Sequence, residues 1–418
     1  MSDESADVIE LEVGKIAAGG GCVGRGPDGR VVFVRHALPG ERVIAKITAT
    51  TKSFLRADAV EVLRPSTDRV TAPCPHAGPG RCGGCDFQHA TLPAQRRLKA
   101  SLISEQLLRL AGVDMDVEVE SVDGDVNGLG WRTRIRLGVD DSGNVGFRQH
   151  RSHHFEYVTN CPIARSEIND VGALEARWIG AQELEVVVAP GTDEALVAID
   201  VPPKGRVRLP QIDAGLVVNG QTVQAPGALQ IVVSGVTFRI SAGVFWQVHI
   251  GAAPLLAEVV REAMGAGSGD HVVDLYAGAG LFSVLLSDDV GPDGSVLAIE
   301  RDKHACADAE HNGRQKKQMR VQRGSVTPRL VERSLGKPDL MVMDPSREGA
   351  GTAVMAALAA RPPSLRRLVY VACDPGSFSR DLRVLLDAGW TLSRLQAFDI
   401  FPMTEHVELV ATIIPPQS

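Results

Sequence analysis

No run of about eighteen apolar residues occurs in the 418-residue chain, so no transmembrane helix is expected. A basic leader is missing too: the chain opens Met1-Ser2-Asp3-Glu4-Ser5-Ala6-Asp7, acidic and polar, unlike a secretory or mitochondrial presequence. Both absences point to a cytoplasmic protein. Aromatic residues are scarce, at 4%, in a composition otherwise ordinary for a soluble globular protein. An excess of positive charge is also lacking. The formal net charge of −7 does not advertise a nucleic-acid binder. The charge is uneven, however: residues 1–165 hold 21 Lys and Arg against 21 Asp and Glu, and the remainder holds 23 against 30. A locally basic face is compatible with an acidic total, so bulk charge leaves RNA binding open. Seven cysteines, at 22, 74, 82, 85, 161, 306 and 373, argue against a disulfide framework in a cytosolic chain. Their spacing says more than their number.

At this length two or three domains are expected. Residues 1–64 carry short β-rich runs, Val8 to Val13, Val31 to Val34, Arg42 to Ile47 and Arg56 to Val62, between glycine-rich or polar turns. Closely spaced short strands suggest a five-stranded barrel of the OB type, whose face commonly binds oligonucleotides. Arg25, Arg35, Arg42, Lys46, Lys52 and Arg56 would supply phosphate contacts. The pattern resembles a TRAM domain, an RNA-binding module of several RNA-modifying enzymes.

A mixed central domain is expected over 65–235. Cys82 and Cys85 form a C-x-x-C, with Cys74 shortly before them, in a loop kept open by glycine and proline. Cys161, followed by proline as Cys74 is, completes a set of four. Four thiolates can hold a [4Fe–4S] cluster or a tetrahedral zinc, and the residues alone do not choose. Trp131-Arg132-Thr133-Arg134-Ile135-Arg136-Leu137 places three arginines at period two, on one face of a strand. Such a face is either solvated or meets an anion. Gly146 to Phe155 then mixes cations with aromatics, a combination suited to phosphate contacts and base stacking. Between the cysteine segments, Leu92 to Leu110 reads as an amphipathic helix. Leu98, Leu102, Ile103, Leu107 and Leu108 form its apolar face, with Gln95, Arg96, Arg97 and Lys99 opposite. This helix is expected to pack on the last domain.

Over 236–418 strand and helix patterns alternate, the signature of a doubly wound sheet. His271 to Ser283 reads as strand, glycine turn and helix, and Val296 to Glu300 as the next strand, ending in an acid placed for a ribose diol. The dinucleotide fingerprint needs glycine where Ser283 stands, so an adenosine cofactor without phosphates, S-adenosylmethionine, fits better. Leu340 to Asp344 ends in Asp-Pro, and so does Leu368-Val369-Tyr370-Val371-Ala372-Cys373-Asp374-Pro375. A thiol at that strand end is a candidate nucleophile; isolated cysteines are more often core residues. Glu408, ahead of the β run Leu409 to Ile414, is a candidate general base if burial raises its pKa.

Taken together, the residues resemble the RNA uracil-5 methyltransferases, which make 5-methyluridine in ribosomal and transfer RNA. The resemblance spans the whole chain. It is carried by Cys373-Asp374-Pro375 with Ser379-Arg380-Asp381, Phe401-Pro402 with His406-Val407-Glu408, Asp344-Pro345-x-Arg347, and Phe245-Trp246-Gln247-Val248. It implies a class I Rossmann-like α/β methyltransferase domain behind a TRAM barrel and a mixed central domain carrying a metal cluster. It further implies Cys373 as nucleophile, Glu408 as base, and cofactor contacts from Gln247, Tyr276, Glu300 and Asp344. Cys74, Cys82, Cys85 and Cys161 then hold a [4Fe–4S] cluster in preference to zinc. The expected partner is RNA, ribosomal rather than transfer RNA, with no membrane, and the expected state is a monomer. The chain departs from the family pattern at His249, Leu281 and Ser346, where asparagine, asparagine and proline are usual. An RNA-binding scaffold that retains the fold without the activity is the alternative. In the expected chemistry Asp374 opposes formation of the Cys373 thiolate, and a helix N-terminus or Arg380 would have to compensate.

Overall fold

Alternating burial along the early strands, as in Val31–Arg35, is satisfied by closing them on themselves. The computed structural model describes residues 8–192, 194–361 and 364–416; the acidic opening Met1–Asp7 lies outside them. Strands Val8–Ala17, Gly21–Arg25, Val31–Arg35, Phe54–Arg64 and Arg42–Thr50 form a closed barrel in that order. Val13, Val32, Val34, Val43 and Ala57 fill it. No helix among the described residues is long and apolar enough to cross a membrane.

A seven-stranded sheet follows, ordered Gln221–Gln224, Gly215–Val218, Ala195–Asp200, Glu183–Val188, Arg134–Val139, Val145–Arg148 and Phe155–Tyr157. Trp178, Leu184, Val186 and Val197 bury its inner face. The expected boundary at 235 falls inside a hairpin, Ala228–Val233 with Val236–Ser241. Its Leu229, Phe238 and Ile240 pack into the core of the last domain.

That last domain is built on eight strands. Their spatial order is Met319–Arg323, Ser295–Glu300, His271–Leu275, Leu340–Met343, Arg367–Ala372, Glu408–Ile414, Thr391–Asp399 and Val119–Ser121. The first five run parallel, and Glu408–Ile414 is antiparallel to both its neighbours. The parallel strands are apolar on both faces because helices cover them, as Leu340–Met343 shows by being buried throughout. The order reverses between His271–Leu275 and Leu340–Met343, which makes the crevice beyond their carboxyl ends the expected ligand position.

Helix Leu92–Gln106 is wedged between barrel and catalytic sheet, not laid on one surface. Leu102 joins the barrel core while Ile103 and Leu107 join the methyltransferase core. With two faces covered, Lys99 on the nominally polar side is buried, whereas Leu108, in a π-helical turn over Leu107–Ala111, is 56% exposed. The single apolar face read from the sequence is therefore wrong at these two positions and at Gln95, which is also buried. The Lys99 Nζ lies 2.5 Å from Asp399 Oδ1 and donates to the Phe401 carbonyl at 2.9 Å. Removing one partner of a buried pair leaves the other unpaired, so Lys99→Met is expected to cost about 3–5 kcal/mol. Urea unfolding checks this, with K99M/D399L recovering most of the loss; a K99M protein as stable as the parent would contradict it.

Candidate active site and cysteine pocket

The crevice begins at Tyr276, which follows strand His271–Leu275 with φ of 65°, a left-handed conformation uncommon for a tyrosine. The turn continues through Gly278 and Gly280, both at positive φ, and a Cβ on Gly280 would sit 3.3 Å from that of Ala309. Glu300 stands at the end of the next strand and accepts from the Gly278 amide at 3.0 Å. Ser283, the residue that breaks the dinucleotide fingerprint, donates its hydroxyl to Asp274. Burial raises the Asp274 carboxyl to about 7, with the Ser283 bond pulling the other way. Leu281 is a buried first helical residue, and Ser346 is exposed. His249 is fully buried and stacks on Trp131, with ring centroids 5.5 Å apart. Burial holds it down to about 4, so it is neutral at pH 7 and serves as a packing residue beside Gln247.

Cys373 and Glu408 come together through strand register. Ala372 pairs with Leu409 in the antiparallel ladder, so the next position on each strand carries Cys373 to the level of Glu408. Asp344 ends the parallel neighbour, whose Met343 pairs with Tyr370. Burial pushes the Cys373 thiol up to about 12, helped by Glu408 and Asp344, while Arg347 works in the opposite sense. Burial also raises Glu408 well above the carboxylate range, and Asp344 to about 7. Asp374 is a weaker influence than expected because its carboxylate is committed elsewhere. It caps helix Pro375–Asp387, accepting from the Ser377 amide at 2.7 Å and hydroxyl at 2.9 Å. Cys373 thus lies just ahead of a helix N-terminus, where partial positive charge favours a thiolate.

The opposing side chain is Arg347, not Arg380. Helix Pro375–Asp387 fixes the loop that carries it: Ser377 donates to the Arg347 carbonyl at 2.8 Å, and Asp381 accepts from the Ala350 amide at 2.7 Å. Sequence reasoning quoted Arg347 within a motif but gave it no role; its sequence distance from Cys373 concealed the contact.

The segment leading into Glu408 is fastened from three directions. Gln95 accepts from the Met403 amide at 2.8 Å. The amides of Asp86 and Phe87, next to Cys85, both donate to the Met403 carbonyl at 2.9 Å. Glu405 accepts from the Gly19 amide of the barrel at 2.6 Å, and Asp86 pairs with Arg35 of the barrel at 3.2 Å.

Cys74, Cys82, Cys85 and Cys161 line a single cavity of ≈ 160 Å³ with Ile135, Phe147, Val158 and Ile163. Burial, then the charge of the neighbouring thiols, raises Cys82 to about 11. Such thiols ionise only against a bound cation. Among the described residues no three His, Cys, Asp or Glu side chains form a group that could hold one metal ion. A zinc with bonds of about 2.3 Å draws its sulfurs nearly into contact. Four thiols lining one cavity are a donor set for a four-iron cluster or for zinc.

Residues 6–60 match the TRAM domain family. An RNA methyltransferase of Streptomyces avermitilis is 42% identical, covering 97% of this chain and 98% of its own length. The chain belongs to the RNA methyltransferase family. A 23S rRNA (uracil(1939)-C(5))-methyltransferase of Shewanella denitrificans is 29% identical to the enzyme over 92% of this chain and 91% of its own. The Pyrococcus abyssi tRNA (uracil-54, C5)-methyltransferase, solved with S-adenosyl-L-homocysteine, superposes with a TM-score of 0.73 at 21% identity, covering 97% of this chain and all of the other. The methyltransferase therefore has the S-adenosylmethionine-dependent fold with an N-terminal barrel.

The arginines of the methyltransferase are distributed differently from the sequence reading. Arg134 and Arg136 spend their charge on Glu185 and Glu183, and Arg132 turns to the cysteine cavity. Cations gather instead where barrel and hairpin meet. Arg56 lies 5.3 Å from the Phe54 ring, and desolvation, then Arg35, Arg151 and Arg56, holds His150 down to about 4. For Cys373, a raised pKa means that the thiolate fraction grows with pH throughout the usual range. Its alkylation by iodoacetamide is expected to rise about tenfold per unit between pH 7 and 9. Peptide mass spectrometry reads the rate, and a plateau near pH 8.5 would show an unperturbed thiol.

Proposed function

We propose that the enzyme transfers the methyl group of S-adenosylmethionine to C5 of a uridine in RNA. The observation that carries this reading is the meeting of Cys373 and Glu408 on adjacent strands, beside the topological switch point. C5 of uracil is too weak a nucleophile to attack a methyl sulfonium unaided. Cys373 adds as thiolate to C6, the electron pair of the 5,6 double bond moves to give an enolate, and C5 becomes nucleophilic. C5 takes the methyl group, releasing S-adenosylhomocysteine. Glu408 then removes the C5 proton, the double bond re-forms and the Cys373 thiolate leaves. The bond made to the Cys373 sulfur is broken again, and once Glu408 releases the C5 proton to solvent the enzyme is returned unchanged. The target base has to be flipped out of its stack to reach a thiol at a strand end.

Tyr276, Glu300, Asp344 and Gln247 are assigned to the cofactor, Glu300 toward the ribose diol. The four cysteines are assigned to a [4Fe–4S] cluster, which binds its loop to the Met403 carbonyl and so has a positioning part in the chemistry. Domains are assigned as a barrel over 1–64, a central domain from 65, and a methyltransferase domain that takes in the hairpin beginning at Ala228, with the helix from 92 shared between them. Ribosomal RNA is the proposed substrate, supported by the Shewanella relative; Arg56 and Arg151 are its proposed phosphate contacts.

Incubation with methyl-labelled cofactor is expected to place label on uridine C5 of 23S rRNA lacking the modification, with transfer RNA unlabelled. Label in transfer RNA alone would move the substrate, and full activity of Cys373→Ala would end the chemical assignment. Glu408→Gln has a distinct signature. It blocks proton removal after methyl transfer, so a protein–RNA adduct stable to denaturant accumulates while turnover falls by about 10²–10⁴-fold. Turnover without adduct in that variant would remove Glu408 as base.

A further inference from the structure

Arg132 precedes the strand Arg134–Val139, and the two arginines at 134 and 136 on that strand have carboxylate partners. Arg134 pairs with Glu185, and Arg136 with Glu183 and Glu185. Among the described residues no carboxylate lies within ion-pair distance of Arg132. Together with Arg136, Arg132 lines the cavity that holds Cys74, Cys82, Cys85 and Cys161. Its Nε donates to the Arg134 carbonyl at 2.9 Å, and its guanidinium carbon sits 5.5 Å from the ring centre of buried Trp131. The backbone on both sides is fixed to the loop bearing Cys161: the Arg132 amide donates to Ile163, and its carbonyl accepts from Arg165, each at 2.9 Å. The residue is held there with its charge unanswered.

We propose that Arg132 is the built-in counter-cation of the iron–sulfur cluster. This rests on the cluster reading of the four cysteines. A four-iron core with four thiolates carries a net charge of about −2. Placing that anion among Ile135, Phe147, Val158 and Ile163 is costly without a nearby cation. A guanidinium suits the place because it stays protonated when desolvated and offers several N–H donors in one plane to cluster sulfurs. Adding an electron makes the cluster more negative, so a fixed cation favours the reduced state and raises the potential. The segment that fixes Arg132 also runs beside the cofactor: the Thr133 amide donates to Val248, next to Gln247, at 2.8 Å.

The test uses full-length protein purified without oxygen, with iron and acid-labile sulfide measured first. Reductive titration followed by electron paramagnetic resonance, and the rate of iron loss to a chelator, are then compared for parent, R132Q and R132K. R132Q is expected to keep a four-iron signal, with its potential shifted to more negative values and iron lost several-fold faster. R132K is expected to restore most of both. If R132Q cannot be isolated with a cluster but R132K can, the charge requirement is upheld. An unchanged potential and iron-loss rate in R132Q would overturn the proposal and leave the cluster standing. Equal loss of the cluster from R132Q and R132K would overturn it in favour of guanidinium shape. Parent protein without iron and sulfide would overturn both the proposal and the cluster reading.

Discussion

The carbonyl of Met403 is the point on which the active-site architecture depends. It accepts the amides of Asp86 and Phe87, while the Met403 amide donates to Gln95. Met403 itself is held at φ of 68°, a conformation that this many bonds can enforce on a non-glycine residue. Phe401, two residues earlier, is tied to Lys99, and Glu405, two residues later, to Gly19. Glu408 then starts its strand within this frame. Three segments distant in sequence therefore define where one buried carboxyl stands. Such positioning suits a base that must reach a single proton, because small errors of placement are costly in rate. It also gives the cysteine pocket a mechanical meaning without any electron transfer, since the loop closed by the four cysteines is the loop that holds Met403.

Much of this was legible in the sequence, for identifiable reasons. Strand period, glycine turns and Asp-Pro stops are local signals, and they located the strands ending at Leu275, Met343 and Ala372. Pairing across the sheet was not local. The register that brings Cys373 to Glu408 depends on the antiparallel strand Glu408–Ile414 inserting between Arg367–Ala372 and Thr391–Asp399. Resemblance to a family supplied that partnership where periodicity did not. The arginines at 132, 134 and 136 show the limit from the other side. Their shared face was readable, but whether an arginine meets RNA, a carboxylate or a cysteine cavity depends on Glu183, Glu185 and Cys161, which join from elsewhere. Lys99 fails for the same reason. A helix covered on two sides has no polar face, and amphipathic spacing assumes one.

The departures at 249 and 281, and Ser283 where the dinucleotide fingerprint has glycine, acquire physical explanations once their surroundings are known. His249 replaces a small polar side chain with a ring that covers Trp131, and its neutral form suits the dry position. Leu281 faces core, so its loss of polarity is matched by burial. Ser283 supplies a hydroxyl to Asp274, at a place where glycine would leave that buried carboxyl without the bond. None of the three removes a group from the Cys373 and Glu408 pair. The structure thus separates residues that shape the cofactor crevice from those that carry the proposed chemistry.

The arrangement of charge around Cys373 has a further consequence for the order of events. Cys373, Glu408 and Asp344 are three acids in one desolvated place, each raised by burial and by its neighbours' charge. Arg347 is the nearby cation that opposes this for both Cys373 and Glu408. One fixed cation does not balance a thiolate and two carboxylates, so the free site favours its protonated forms near neutral pH. The proposed chemistry requires Cys373 and Glu408 to be ionised in turn. A methyl sulfonium would carry the missing positive charge if Asp344 holds the cofactor as proposed. Its arrival lowers the cost of ionising every acid in the group, and its conversion to the neutral thioether withdraws that support as Glu408 takes the C5 proton. Protonation of Glu408 is then favoured at the step where the mechanism demands it. The burial that raises the Cys373 thiol, and a cationic donor that would relieve it, together would favour nucleophilic attack in the complex that can complete the transfer.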